Sequence, residues 1–125
     1  MYKRQLLRRV ADRLLSATRG CDTVARLGGD EFAVLLEGVR ADADAVTVAE
    51  RVVAALRPSF AVDGRQAFVG TSVGIARAEA EGGVDALLRD ADAAMYRAKA
   101  RGKGRFVFYA DAEAAPAGAR LAAAA

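Results

Sequence analysis

Apolar residues in this chain recur by turns with the period of an α-helix and with the period of a β-strand, and this pattern limits the possible folds most strongly. Residues 6–15 carry apolar side chains three and four positions apart, the spacing of one helix face. Residues 23–27 and 32–36 are short runs of strand-forming residues, and the Gly-Gly-Asp-Glu sequence at 28–31 between them is a hairpin signal. We therefore expect an acidic pair at the tip of a hairpin.

The same alternation continues to residue 109. The remaining predicted elements are a helix that begins near Asp42 or Asp44 and ends before Pro58, strands at 60–62 and 67–76 joined by an Asp63-Gly64 turn, a helix from near Asp85 to Gly102, and a strand at 106–109. Hairpins interspersed with helices, without strict strand–helix–strand alternation, favour an α+β fold in which helices flank an antiparallel or mixed sheet.

Length and composition exclude several classes of protein. A chain of 125 residues corresponds to one domain or part of one, and 54% hydrophobic residues exclude disorder throughout. No apolar run approaches the roughly 20 residues of a membrane-spanning helix, and no cleavable leader is evident. We therefore expect a cytoplasmic location and no membrane segment in this chain.

The residue types that are present restrict the chemistry. The chain has one cysteine, Cys21, and no histidine, which excludes an internal disulfide, a multi-cysteine metal site and proton transfer by histidine. Carboxylates, arginines, lysines and the backbone must carry any reaction. The formal charge of +3 suits anionic small molecules and gives no argument for DNA or RNA as a partner.

The two ends differ in composition from the rest. Residues 1–5 have no helix-capping residue and resemble an adapter-encoded sequencing or cloning scar, so we interpret the gene as truncated at its 5′ end. Residues 110–125 contain ten alanines among sixteen residues, interrupted by Pro116 and Gly118. We expect this tail to be disordered.

The predicted hairpin tip places two glycines beside two carboxylates. Glycine lets a phosphate approach the backbone, and Asp30 and Glu31 offer the hard oxygen ligands that Mg²⁺ prefers. Metal-assisted phosphoryl transfer needs such ligands near the phosphates. Without further context, the same four residues are an ordinary polar β-turn.

The surrounding sequence supplies that context. The run RLGGDEF at 26–32 resembles, letter for letter, the signature of the GGDEF family of diguanylate cyclases. Four further segments occur in the family's order: LLRRVA at 6–11, TSVGIA at 71–76, ADAAMYRAK at 91–99 and GKGR at 102–105. An unrelated hairpin protein would need five ordered coincidences. The resemblance covers residues 6–109 and implies a mixed five-stranded sheet flanked by helices, similar to the palm of polymerases and to ferredoxin-like nucleotide cyclases.

The resemblance implies a reaction and a role for each residue of the motif. Two GTP molecules, each held by one chain of a homodimer, condense into cyclic di-GMP and pyrophosphate. Asp30 is then a metal ligand and the candidate base, Glu31 supports the metal or orients the substrate, and Gly28 and Gly29 let the hairpin lie close to GTP. The implied cofactor is Mg²⁺ or Mn²⁺.

Two lysines match the family's phosphate-contacting pair. Lys99 and Lys103 would hold the terminal phosphates of GTP, provided that Gly102 ends the helix and lets Lys103 turn inward. On their position alone, the two lysines would only complement the dipole at a helix C-terminus.

An R-x-x-D sequence precedes the motif. Asp22 lies six residues before Gly28, where the family places its product-inhibition site for cyclic di-GMP. Arg19 can donate two hydrogen bonds to guanine, and Asp22 can accept hydrogen bonds from its Watson–Crick edge. Arg51 matches a secondary arginine of that site. Outside this context, each of these residues is ordinary surface charge.

Two segments of the family are absent from these 125 residues. They are D-x-D-x-F-K, whose aspartate binds both metals from the first strand, and N-D-x-x-G-H-x-x-G-D, which contacts guanine and ribose. We therefore interpret residues 6–109 as a partial GGDEF domain without its first strand and helix, and we expect negligible cyclase activity from this chain alone. A sheet without its central strand is also expected to expose unpaired edges and to be unstable.

Two functional hypotheses remain at this point. The first is the catalytic domain of a diguanylate cyclase with a product-inhibition site. The alternative is a non-catalytic module that binds cyclic di-GMP through the R-x-x-D site. The intact Asp30–Glu31 pair favours the first, because a degenerate receptor has no chemical need for those carboxylates.

Overall fold

The computed structural model describes residues 2–39, 41–77 and 83–109, and the backbone of residues 119–124. Its elements in chain order are α1 (Tyr2–Ala17), β1 (Thr23–Gly28), β2 (Glu31–Leu36), α2 (Asp42–Leu56), β3 (Phe60–Val62), β4 (Arg65–Ala67), β5 (Ser72–Arg77), α3 (Gly83–Ala100), β6 (Arg105–Phe108) and β7 (Ala119–Ala124). No helix in the described ranges is long and apolar enough to cross a lipid bilayer.

Five of the strands form one sheet in the order β1-β2-β7-β5-β6, and β3 and β4 form a separate hairpin. Strands β5 and β6 run parallel, whereas the other neighbouring pairs in the described chain are antiparallel. The sheet is therefore mixed, as the sequence predicts for an α+β fold.

The two faces of the sheet pack against different helices, because side chains alternate along each strand. Phe32, Val34 and Leu36 of β2 belong to the larger core, to which α1 and α2 also contribute. Leu35 points to the opposite face and packs against the cluster around α3. Helices thus cover both faces, which confirms the predicted architecture.

Helix α1 begins at Tyr2 rather than at residue 6. Residues 2–5 continue its helical backbone and are exposed. That residues 1–5 are a sequencing or cloning scar stays a prediction, because a helical backbone does not show where a segment comes from.

The structure corrects the predicted strand at residues 67–76. Strand β4 ends at Ala67 and β5 begins at Ser72, so the segment contains the end of one strand and most of another. The two belong to different sheets, because β4 pairs with β3 whereas β5 lies between β7 and β6. A continuous strand could not make both sets of pairs.

The alanine-rich end also differs from expectation. Residues 119–124 form β7, which lies between β2 and β5 and is antiparallel to both. Without a strand in this position, β2 and β5 would present unpaired N–H and C=O groups, and such edges accept an extended segment. The sheet consequently has no gap where a central strand was expected to be missing. Residues 110–118 of the predicted disordered tail lie outside the described residues.

Candidate functional site

The register of the sheet brings the candidate residues to one edge. Glu31 at the start of β2 and Ser72 at the start of β5 both pair with Ala124, and Ser72 also pairs with Arg105 at the start of β6. The N-terminal ends of β2, β5 and β6 therefore lie side by side. We call this the motif edge. It carries the hairpin tip on one side and the turn that contains Lys103 on the other.

The hairpin tip has a backbone that requires glycine. Gly28 and Gly29 adopt φ angles of 146° and 51°, and the β1–β2 register shifts between Arg26 and Gly28. A Cβ atom at either glycine would meet no atom of the described residues within 4 Å, apart from its chain neighbours, so the space above the turn is open. Arg26 fixes the turn, because its Nε donates a hydrogen bond of 2.8 Å to the carbonyl oxygen of Gly29.

The two carboxylates of the tip are half-buried. Burial raises the pKa of Glu31, the neighbouring carboxylate of Asp92 on α3 raises it further, and the positive charge of Lys99 opposes this shift. Leu35, further along the same strand, packs against Ala91 and Met95 of α3. Asp92 was not predicted as a site residue, although it lies in the quoted ADAAMYRAK segment.

The two lysines lie where α3 ends. Lys99 is exposed in the last turn, with its Nζ 5.6 Å from the centre of the Tyr96 ring. Gly102 has a φ of 106°, and the amide of Lys103 donates a 3.1 Å hydrogen bond to the carbonyl of Ala98, an ending typical of helices followed by glycine. The predicted change of direction at Gly102 is therefore present.

The side chain of Lys103 lies against the segment that enters β5. A Cβ atom on Gly70 would be 2.7 Å from Cδ of Lys103, so the glycine makes room for this lysine. The amide of Gly104 donates a 2.5 Å hydrogen bond to the carbonyl of Thr71. Lys103 is thereby held at the motif edge, at the end of α3 that also carries Lys99.

A cavity of about 770 Å³ opens beside the hairpin tip, between α1 and the β1–β2 hairpin. Apolar and cationic side chains line it together with the backbone of one motif glycine, and no carboxylate does: Lys3, Arg4, Leu7, Arg8, Ala11, Leu15, Val24, Arg26, Gly29 and Phe32. Such a lining suits a ligand with a flat apolar part and negative charge. The cations of α1 were not predictable as site residues, because only the tertiary packing places them beside the motif.

The donor set at the tip fits a hard cation such as Mg²⁺ in its chemistry. Asp30 and Glu31 offer carboxylate oxygens, and Oδ1 of Asp92 is buried without a hydrogen-bond partner in the described part of the chain. No group of three histidine, cysteine, aspartate or glutamate side chains within the described ranges is close enough to hold a metal by itself. The described residues therefore do not form a complete metal site by themselves.

The R-x-x-D residues bind each other. Arg19 donates to Asp22 from Nη2 at 2.8 Å and from its backbone amide at 2.7 Å, and the side chain of Asp22 is 0% exposed. Nη2 of Arg19 also donates a 3.1 Å hydrogen bond to the carbonyl of Glu37, which lies just after β2. The carboxylate of Asp22 is thus covered by Arg19, and a guanine can reach it only if this pair opens.

Arg51 is exposed on α2 and forms no hydrogen bond or ion pair with Arg19 or Asp22 among the described residues. The hydrogen bond to Asp22 raises the pKa of Arg19, and the carboxylate of Asp44 in the first turn of the same helix acts in the same direction. The structure therefore brings Arg19 and Asp22 together and places α2 nearby, without joining Arg51 to them.

The fold and the hairpin site together define a nucleotide-cyclase-like domain. A family model described as "Diguanylate cyclase, GGDEF domain" matches residues 4–105. The chain belongs to the GGDEF domain family.

Relatives of known name agree with this assignment. Over 105 residues the chain is 40% identical to the bifunctional diguanylate cyclase/cyclic di-GMP phosphodiesterase MucR of Pseudomonas aeruginosa. The aligned residues make up 83% of this chain and 15% of MucR. Over 97 residues it is 41% identical to the diguanylate cyclase TpbB of the same species, covering 76% of this chain and 22% of TpbB. The chain thus spans less than a quarter of the length of either relative.

Solved structures show the same fold. An EAL/GGDEF domain protein from M. capsulatus superposes with a TM-score of 0.79 at 41% identity, covering 85% of this chain and 69% of that one. The GGDEF domain of TpbB superposes with a TM-score of 0.75 at 38% identity, covering 83% and 62%. The predicted family and fold class are therefore confirmed.

Proposed function

We propose that this chain is part of a diguanylate cyclase catalytic domain, which condenses two GTP molecules into cyclic di-GMP and pyrophosphate. One observation carries the proposal: the glycine turn with its two carboxylates shares the motif edge with Lys99 and Lys103 and borders a cation-lined cavity. This arrangement can hold a nucleotide from both ends, with cations at its phosphates and an open backbone beside them.

The individual roles follow from position. Gly28 and Gly29 leave open space at the turn for a phosphate group, and Lys99 and Lys103 hold the terminal phosphates. Asp30 accepts the proton of the attacking 3′-hydroxyl, whose oxygen bonds to the α-phosphorus of the other GTP as pyrophosphate leaves. The 3′-hydroxyl and the α-phosphate come from different GTP molecules, so we infer a homodimer of such domains.

Mg²⁺ or Mn²⁺ is the proposed cofactor. Asp30 and Glu31 would hold it at the tip, where it supplies charge stabilisation to the leaving pyrophosphate. With GTP as the substrate and cyclic di-GMP as the product, we place the domain in the cytoplasm, where GTP is present.

Nucleotide titration tests the substrate assignment. We expect a non-hydrolysable GTP analogue with Mg²⁺ to bind saturably. Lys99→Gln and Lys103→Gln should each weaken binding about tenfold or more, because a hydrogen bond to a charged group contributes about 1.5–3 kcal/mol. Arg101→Gln, an exposed cation in the same turn, is the matched control. Equal effects of all three variants would contradict specific roles for the two lysines.

A product-binding function has its own support in the paired side chains of Arg19 and Asp22. Its nitrogen donors and carboxylate are already aligned, and opening the pair would present both to a guanine. We infer that cyclic di-GMP binds here and inhibits the enzyme, with Arg51 as an auxiliary contact.

Titration with cyclic di-GMP and cyclic di-AMP tests this second site. We expect selective binding of cyclic di-GMP, lost in Arg19→Ala and retained in Arg9→Ala, a variant of an exposed arginine on α1. Retained binding in Arg19→Ala would contradict the assignment. If cyclic di-GMP binds but the GTP analogue does not, the chain is a receptor module and not a cyclase part.

A further inference from the structure

A second cavity, of about 340 Å³, lies between α2 and the start of β6. We call it the α2–β6 cavity. It shares no lining residue with the cavity beside the hairpin tip. Strand β6 is at the edge of the five-stranded sheet, so no further strand of the described chain covers this side of the molecule. A small molecule can therefore enter here without passing the hairpin tip.

The floor of the α2–β6 cavity is apolar. Val53 of α2 is buried, and Phe106 of β6 is half-buried and packs against the same core cluster. Both side chains line the cavity. An aromatic ring and an aliphatic side chain on one floor suit a flat, largely apolar body such as a purine base.

Two arginines meet at one end of the cavity. Helix α2 runs along the sheet towards the motif edge, because Asp42 at its start contacts Arg77 at the far end of β5. Arg57, which directly follows α2, therefore lies at the level of Arg105 at the start of β6. Both arginines line the α2–β6 cavity.

The guanidinium groups of these arginines have nitrogens to spare. Arg105 is oriented by its Nε, which donates a 3.2 Å hydrogen bond to the carbonyl oxygen of Lys103, while its two terminal nitrogens donate none within the described residues. Arg57 forms neither a hydrogen bond nor an ion pair within the same residues. Guanidinium groups with free terminal nitrogens can bind a phosphate through two hydrogen bonds each. This end of the cavity therefore suits a phosphate group.

A carboxylate lies at the other end. Glu50 also lines the cavity and precedes Arg57 by seven residues, which places it two turns, or about 10 Å, away on the same face of α2. An ionised carboxylate only accepts hydrogen bonds, so the ligand must present donors here. The Watson–Crick edge of guanine presents two adjacent N–H donors, whereas that of adenine presents one donor beside an acceptor.

We propose that the α2–β6 cavity binds a guanine nucleoside monophosphate. Arg57 and Arg105 hold the phosphate. Phe106 contacts the base, whose N–H donors bind Glu50. A triphosphate fits less well, because the volume is less than half the 770 Å³ of the cavity beside the hairpin tip. The site is separate from the proposed cyclase site and does not depend on the proposed function.

Calorimetric titration of the full chain with 5′-GMP, 5′-AMP and inorganic phosphate tests this site. The protein is saturated beforehand with cyclic di-GMP, and each titration is run with and without the Mg²⁺ complex of a non-hydrolysable GTP analogue. We expect one 5′-GMP per chain, with the same dissociation constant in both conditions. 5′-AMP and phosphate should each bind at least tenfold more weakly, because each lacks contacts that guanine makes.

Variants separate the two ends of the cavity. Arg57→Gln and Arg105→Gln should each weaken 5′-GMP binding about tenfold or more, since each removes charged hydrogen bonds to the phosphate. Arg101→Gln, an exposed cation four residues before Arg105, is the matched control and should change nothing. Glu50→Gln should abolish the preference for 5′-GMP over 5′-AMP, because a glutamine amide can both donate and accept.

Three results would overturn the proposal: displacement of 5′-GMP by the GTP analogue, equal affinity for 5′-GMP and 5′-AMP, or unchanged binding in Arg57→Gln. Urea unfolding checks that the variants fold. If Arg105→Gln destabilises the turn before β6, Arg57→Gln decides alone, because Arg57 is exposed and holds no other described residue. Binding of 5′-GMP without binding of the GTP analogue would contradict the proposed function and leave this site in place.

Discussion

Glu31 shows how one carboxyl group reports on its surroundings. Its pKa is raised, first by burial and then by Asp92. A raised pKa means that Glu31 binds its proton more tightly in the folded protein than in the unfolded chain. This tighter proton binding stabilises the fold fully below the ordinary glutamate pKa, and the stabilisation is lost as pH rises through the folded pKa. Lys99 reduces this loss without removing it.

We therefore expect Glu31→Gln to gain stability relative to the unmodified chain as pH rises from about 4 towards neutrality. Urea unfolding at several pH values measures this difference. A difference that is constant with pH, or that falls as pH rises, would contradict the described surroundings of Glu31.

A second prediction concerns Gly74 of β5, which packs against α3. Gly74→Ala should destabilise the fold by about 1–3 kcal/mol or more, because the added methyl group overlaps backbone atoms of α3 that cannot move aside individually. Gly20→Ala is the control, since a Cβ atom there would meet nothing within 4 Å. Equal melting temperatures for the two variants would argue against the close contact between α3 and β5.

Single residues were predictable from sequence where their chemistry is local. The hairpin tip with Gly28 and Gly29 was placed correctly, because turn residues act through their own backbone. The close contact of Gly74 with α3 was not predictable, because only tertiary packing brings the helix onto the strand. Asp92 was not assigned a role, because Glu31, whose pKa it raises, lies about sixty residues earlier in the chain.

Arg13 of α1 contacts the residues at and after the end of α2. It donates to the carbonyls of Ala55 at 3.2 Å, Pro58 at 2.5 Å and Ser59, and its guanidinium lies 3.6 Å from the centre of the Phe60 ring. The last carbonyls of a helix, here that of Ala55, have no donor within the helix, so Arg13 supplies the missing donor.

Arg13→Ala should lower the free energy of unfolding by about 1.5–3 kcal/mol, because it removes charged hydrogen bonds to partly buried carbonyls. Arg13→Lys should restore little, since one ammonium group cannot reach the same set of acceptors in a plane. Chemical denaturation measures the change, with exposed Arg9→Ala as the reference. A loss of stability no larger than that of Arg9→Ala would show that the hydrogen bonds of Arg13 contribute little to stability.

Element boundaries were predictable where a signal ends them, such as Pro58 after α2 and Gly102 after α3. The predicted strand at 67–76 failed because apolar alternation cannot show that a chain leaves one sheet for another. Hydrogen bonds such as those of Arg13 also cannot be predicted from sequence, because an exposed arginine and a capping arginine look alike in a helical pattern.

The whole molecule depends on its central strand. Strand β7 pairs along six residues with β2 and along six with β5, so it joins the hairpin side of the sheet to the β5–β6 side. Sequence analysis predicted disorder here, because composition alone does not show which edges a tail can meet. The instability expected for a sheet without its central strand therefore applies only if β7 leaves its position between β2 and β5.

Ala122→Pro should destabilise the whole domain by about 3 kcal/mol or more, because proline removes a donor in the middle of a sheet and restricts the backbone. Ala122 pairs with Ala33 on one side and Gly74 on the other, so both halves of the sheet are affected. Ala122→Ser keeps the amide and serves as the control. Hydrogen exchange of β2 and β5 should rise together in the proline variant; unchanged exchange would show that β7 does not hold the sheet.

We propose that these 125 residues bind a guanine-nucleotide substrate and its cyclic product at two separate places, the motif edge and the Arg19–Asp22 pair. The most direct measurement is calorimetric titration of the Mg²⁺ complex of a GTP analogue into protein already saturated with cyclic di-GMP. We expect the analogue to bind with unchanged stoichiometry of one per chain. Competition for a single place, or the absence of binding by either ligand, would contradict the account.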